Sequence, residues 1–242
     1  MKSLKFKLSG KFACFRKAEF NSCAYFTYEN IHKPALLGLL GAILGYGGYS
    51  QQRDEDEYPE YYEKLRKLKI GIEPLHKYGN EAFSKKSQVF NNSTGCASKE
   101  RGGNLVVKEE WLKNPCWNIY ILDDGSSEYN KLKEFILEGK AVYIPYLGKN
   151  DHMAEISDAS VVEVYPSDSE YIDSIVVGNN VKYSNDNDKW EKKYLVKEFA
   201  PVAMDSLYNF AIYKQTVCTN CKYDRNTVDN VYSDGEKQIF FF

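Results

Sequence analysis

Residues 116–147 read CWNIYILDDGSSEYNKLKEFILEGKAVYIPYL, and they decide the fold. Cys116 to Leu122 is a short apolar and aromatic run of strand type. Asp123-Asp124-Gly125 is a turn signal, and Ser126 or Ser127 can cap the helix that follows. Tyr129, Leu132, Phe135 and Ile136 recur at helical spacing to about Glu138, and Gly139 stops the pattern. Residues 141–147 (AVYIPYL) then read as another strand, turned by Gly148-Lys149-Asn150. The unit is strand, helix, strand.

A similar unit precedes it. Residues 3–9 (SLKFKLS) alternate, with Leu4, Phe6 and Leu8 on one face and Lys5 and Lys7 on the other. Residues 12–15 continue extended, and 16–33 have no helical period and read as a loop. Pro34 opens a helix that is apolar almost all round to Leu44, so it is expected to be buried on most sides. Tyr58 to Lys69 reads as an amphipathic helix and Lys69 to Leu75 as a strand. Setting aside that extra helix and a long insertion, the order is βαββαβ. This is the ferredoxin-like order of α+β proteins, shared with RNA-recognition modules. Beyond it, short β-like runs dominate at 159–165, 172–177, 194–199, 209–217 and 237–242. The expected organisation is a ferredoxin-like domain over 1–155 and a small β-rich domain over 156–242.

The 242 residues carry 32 Lys and Arg against 34 Asp and Glu, an ordinary globular balance that rules out global disorder. The average hides an asymmetry. Residues 1–50 hold seven Lys or Arg and two Glu, whereas 156–242 hold nine and fourteen acids. A near-neutral total therefore does not exclude a polyanion partner, which requires only that the positive charge be concentrated in the amino-terminal part. The run 76–108 is rich in Gly, Ser and Asn and holds six Lys or Arg against two Glu, which points to a functional arm. Residues 54–57 (DEDE) read as a solvated acidic loop or helix start.

Candidate RNA-binding residues combine charge with loop position and bare backbone. Arg16 and Lys17 follow a strand, and Arg16 can grip phosphate with two donors, or else make a surface salt bridge. His32 and Lys33 precede a helix N-terminus, whose free N–H groups suit phosphate. Tyr25, Phe26 and Tyr28 can stack on bases or fill core. Gly38, Gly41 and Gly45 lie near one helix face, which serves close packing, approach of a nucleic-acid backbone, or both. Lys85, Lys86 and Arg101 in the insertion can neutralise phosphates as a cluster, and Lys149 and Asn150 sit on the closing turn.

Other chemistry has less support. The apolar run from Ala35 to Gly45 falls short of the roughly 20 residues of a membrane span, so no membrane association is expected. Six cysteines without a secretory signal read as reduced cytoplasmic thiols, and the Cys218/Cys221 pair has no second pair to complete a zinc site. Neither metal nor cofactor is expected. No hydrolase or P-loop pattern occurs. His76-Lys77-Tyr78, Tyr46 and His152 offer the residue types of metal-free RNA cleavage, but no spacing requires a site.

Three stretches carry a family resemblance: FKLSGKFACFRK (Phe6 to Lys17), HKPALLGLLGAILGYGGY (His32 to Tyr49) and AVYIPYLGKNDH (Ala141 to His152). Together they resemble the CRISPR-associated protein five family, Cas-five, of the RAMP superfamily, and most nearly its type I-B members. The resemblance implies a non-catalytic subunit of a type I surveillance complex (Cascade) in antiviral defence. Such a subunit caps the 5′ handle of the guide RNA (crRNA), beside a Cas-eight type large subunit and a Cas-seven type backbone subunit, with target DNA near the complex. It also implies a hairpin-like thumb, here by position about 79–110. Lys149 stands where relatives commonly have arginine. One branch of the family processes guide precursors, so a metal-independent endoribonuclease is the alternative.

Overall fold

A computed structural model describes residues 1–19, 24–76, 82–92, 105–184 and 192–242. Its main sheet has strands β1 (Lys2–Ser9), β3 (Ile70–Pro74), β6 (Cys116–Leu122) and β7 (Glu155–Glu163), in the antiparallel order β3-β6-β1-β7. With α1 (Lys33–Leu44) and α2 (Glu60–Leu65) between β1 and β3, and α3 (Ser127–Leu137) between β6 and β7, this is the ferredoxin-like α+β topology. Leu4, Phe6 and Leu8 share one fully buried face of β1 and pack in one core with Leu36, Leu40 and Leu132 from the helices. Gly41 is a packing glycine: a Cβ there would stand 2.4 Å from the Tyr61 Cβ of α2.

The opposite sheet face, which RNA-recognition modules leave open, is filled here. The chain's last strands fold back over it. Tyr120 and Leu122 pack against Val164, Ile239 and Phe241. Gly71 permits this, since a Cβ on it would lie 2.3 Å from Ile239. Burial on both faces explains why β6 is an apolar run rather than an alternating strand. The remaining polar groups on that face are paired: Glu73 accepts from Asn118 Nδ2 at 2.7 Å, and Lys5 meets Asp234 at 2.9 Å.

The insertion is a β-hairpin of β4 (Lys85–Asn92) and β5 (Leu105–Lys113), anchored on β2 (Phe12–Ala13). Two further small sheets complete the chain. One is β10-β11-β9, from β9 (Val176–Val177), β10 (Leu195–Met204) and β11 (Ala211–Thr219). The other is β13-β12-β8, from β8 (Tyr165–Pro166), β12 (Val231–Ser233) and β13 (Gln238–Phe240).

Two expectations are corrected. Residues 141–147 are not the fourth strand. Two of their N–H groups go to the end of α1 instead, Val142 to Ile43 O at 2.9 Å and Tyr143 to Ala42 O at 3.1 Å, while Leu147 N donates to His152 O at 2.8 Å. The Ala42 carbonyl also accepts from the C-cap Gly45 N–H at 3.2 Å, and Val142 and Tyr143 add to the cap of the last turn. The fourth strand is β7, which crosses the boundary expected at 155/156. Residues beyond that point also share the first core, through Ile175, Ala200, Met204 and Cys218.

Candidate nucleic-acid interface

The site begins at the α1 N-terminus. His32 is the N-cap, and its Nδ1 accepts from the Ala35 N–H at 3.3 Å. A ring nitrogen that accepts carries no proton, so in the neutral imidazole Nε2 is the donor. Burial holds the His32 pKa down at about 4, and the ring stands edge-on to Phe15 and Tyr28 at 6.1 and 5.3 Å. The helix start thus presents a neutral N–H donor beside the positive end of its dipole.

Gly148 brings the second element to this point. Its φ is +83°, and a Cβ there would fall 2.0 Å from the Cys14 carbonyl oxygen. Only glycine lets the 146–150 turn press on the strand running out of β2, where Cys14 N donates to Leu147 O at 3.0 Å. The result is a depression of about 390 Å³ lined by Arg16, Tyr25, His32, Glu109, Gly148 and Lys149. It shares His32, Ala35 and Gly148 with a larger groove of about 730 Å³ along α1. Gly38, Leu39 and Ala42 line that groove, with Tyr46, Tyr49, Tyr143 and Tyr146 around them. At Gly38 an added Cβ would meet Tyr61 no nearer than 3.8 Å, so packing does not require this glycine.

Cations sit at one end. The Arg16 guanidinium carbon lies 3.6 Å from the Tyr25 ring centroid, and Tyr25 is tied through its backbone to Lys108 and Glu110 of β5. Lys149 Nζ is 2.6 Å from Glu109 Oε2 and 5.4 Å from the Trp111 ring. Lys86 is exposed on β4, 5.2 Å from the Phe12 ring and 5.4 Å from that of Trp111. Asn150 is exposed on the same turn as Lys149. The arrangement is a cationic, aromatic mouth leading into a groove with a small-residue helix face and tyrosine walls. A surface of this make-up has the chemistry to hold a single strand, with cations for phosphates at the mouth and rings for bases along the groove.

Four expected residues are employed elsewhere. Lys17 pairs with Glu198 at 2.8 Å, which answers a carboxylate taken into the protein. Tyr28 is 1% exposed and belongs to the core, so its ring offers no face to a base. Lys33 turns inward, donating to the Phe242 main-chain oxygen at 2.8 Å, and burial brings its pKa down to about 8. Lys85 bridges Glu29 and Glu110 at 2.5 and 3.0 Å, tying hairpin to loop. Arg101 lies outside the described residues, as do Cys23, Cys96, Lys77 and Tyr78. Sequence reading missed Tyr143 and Tyr146, because a segment taken for a sheet strand has no reason to wall a groove. It also missed Glu109 and Trp111, which no local signal singles out.

The three histidines are apart. His76 packs on Phe83 at 4.8 Å. His152 is buried under Trp111 at 4.6 Å, and among the described residues neither of its ring nitrogens has a hydrogen-bond partner. Cys218 and Cys221 are buried free thiols, and burial pushes the Cys218 pKa up to about 12. Among the described residues no group of three or more His, Cys, Asp or Glu could hold a metal, and no helix is long and apolar enough to cross a membrane.

Solved structures supply the comparison. One, titled a CRISPR RNA-guided surveillance complex, matches with a TM-score of 0.53 at 10% identity, over 91% of this chain and 90% of that one. Another, a CRISPR protein from Archaeoglobus fulgidus, matches with a TM-score of 0.54 at 8% identity, over 99% and 98%. The chain shares its fold with CRISPR proteins. At these identities the likeness is one of fold, and it spans nearly the whole of each chain. No family model and no curated protein matches the sequence.

Proposed function

We propose that this chain is a non-catalytic RNA-binding subunit of a CRISPR surveillance complex, and that it holds the 5′ handle of the guide RNA along α1. The observation that carries the reading is the continuity of the two depressions at His32, Ala35 and Gly148. It joins the Arg16 and Lys149 mouth to a tyrosine-walled groove over Gly38. In this reading Arg16, Lys86 and Lys149 meet phosphates, the neutral His32 donates one hydrogen bond, and exposed tyrosines such as Tyr143 and Tyr146 stack on bases. A Cas-seven type backbone subunit, a Cas-eight type large subunit and target DNA are the partners this role brings with it.

The test is fluorescence anisotropy of the full chain with a labelled single strand carrying the 5′ repeat sequence, against a scrambled strand, across a salt series. Preferred, salt-sensitive binding to the repeat strand is expected. Arg16→Ala should weaken it and flatten the salt slope by about 0.7. Equal binding of both strands, or none, defeats the reading. Incubation in EDTA reads the alternative at the same time: the RNA should keep its length, and cleavage lost in His152→Ala would instead make the chain a metal-independent endoribonuclease.

A further inference from the structure

The turn between β10 and β11, residues 205–210 (DSLYNF), carries its apolar side chains outward. Leu207, Tyr208 and Phe210 are 75, 66 and 65% exposed. The turn is held in this shape. The Asp205 carboxylate accepts from the Leu207 and Tyr208 N–H groups at 3.1 and 2.8 Å, and Asp205 N donates to Phe210 O at 2.9 Å. Asn209 takes the left-handed conformation, φ +56°, and its side-chain amide donates to Gln52 Oε1 at 2.8 Å. The Tyr208 and Phe210 rings lie 5.4 Å apart. Exposed large apolar groups grouped on a preorganised turn mark a contact surface, because preorganisation lowers the ordering cost of binding.

The neighbouring charge says what kind of partner fits. The Asn209–Gln52 bond sets the turn beside residues 53–57 (RDEDE), where Asp54, Glu55 and Glu57 are exposed. The lone cation there, Arg53, is taken by Glu55 and Asp56 at 3.4 Å each. Residues 206–212 (SLYNFAI) carry no charge at all. An acidic rim repels nucleic acid and anionic lipid, and it attracts a basic protein surface. The acidic run thereby gains a purpose that the RNA groove does not give it.

We propose that the β10–β11 turn is a protein-docking knob, received by an apolar cleft edged with Lys and Arg on another protein. The base of the knob adjoins the RNA groove, since Tyr49 donates its hydroxyl to Met204 at the end of β10. The partner would therefore stand next to the aromatic end of the groove. The test rests on the complex membership proposed above. It co-expresses the full chain with the backbone and large subunits of that complex and a guide RNA, and measures the fraction of each chain that co-purifies. Leu207→Ser with Phe210→Ser should lower association at least tenfold. Asp54→Lys with Glu57→Lys should lower it several-fold and flatten its salt dependence. Both variants should keep the wild-type Tm and bind repeat RNA as the wild type does. Variants that assemble as well as wild type overturn the knob alone. A wild-type chain that enters no assembly overturns complex membership and the knob with it. Loss of RNA affinity in the turn variant, wild-type binding to phosphatidylserine vesicles, or self-association that the turn variant abolishes would each assign the surface to a different occupant and overturn the proposal.

Discussion

Lys149 Nζ lies 2.6 Å from Glu109 Oε2, and the Trp111 indole N–H donates to that same oxygen at 2.8 Å. A carboxylate thus sits inside the mouth proposed for RNA, and a phosphate reaching Lys149 must compete with it. Glu109→Gln should tighten binding of repeat RNA several-fold and steepen its salt dependence, measured by anisotropy. Weaker binding would mean that Glu109 is needed to aim Lys149.

Gly38 and Gly41 lie one turn apart and do different jobs. Gly41→Ala places a Cβ against Tyr61 and should lower stability by about 1–3 kcal/mol. Gly38→Ala meets the Tyr61 ring at an ordinary contact distance of 3.8 Å and should stabilise by up to about 1 kcal/mol through helix propensity. If a strand lies on that face, Gly38→Ala also weakens RNA binding while Tm rises. Chemical denaturation and anisotropy on the same two variants read both effects.

His32 is held neutral, with its pKa lowered from 6.5 to about 4 by burial. The unfolded chain therefore binds a proton more readily than the folded one. The sign follows: stability should fall as pH drops from 6.5 towards 4, and the loss should level off below 4. His32→Asn keeps an N-cap acceptor but does not titrate. Denaturation midpoints across this range should depend less on pH in the variant. An unchanged pH profile would show that His32 is not the group responsible.

Lys17 is the partner of Glu198, whose pKa burial raises despite the nearby ammonium. Lys17→Met leaves that carboxylate without its cation and should cost about 1–3 kcal/mol. Adding Glu198→Gln should recover part of the loss. RNA affinity of the folded variant should stay at the wild-type value. A loss of affinity without a loss of stability would return Lys17 to the binding surface.

Strand and helix existence was legible wherever burial is one-sided or complete. β1 alternates because Leu4, Phe6 and Leu8 meet the helices while Lys5 and Lys7 face away, and β6 is an apolar run because both of its sides are covered. The hairpin of β4 and β5 was expected only through the family resemblance and not from local pattern, because Val89, Phe90 and Val106 on it are exposed and carry no burial period. The fourth strand was misplaced for a related reason. AVYIPYL has the composition of a strand, but its Val142 and Tyr143 N–H groups are drawn to the carbonyls ending α1. The less regular β7 pairs with β1 instead, with its register broken between Lys5 and Lys7.

Of the proposed site, the amino-acid order alone settled the helix start at His32 and Pro34, the glycine face of α1 and the turn at Gly148, since these depend on backbone propensity and spacing. Which cations face the groove was decided only in three dimensions. Of Arg16, Lys17, Lys33, Lys85 and Lys149, only Arg16 and Lys149 line the depression at the start of α1, although Lys149, like Lys17, Lys33 and Lys85, meets an oxygen delivered from a distant part of the chain. Where a cation ends up, and which acceptor it meets, depends on the elements that folding packs beside it, and that packing is not written in local sequence.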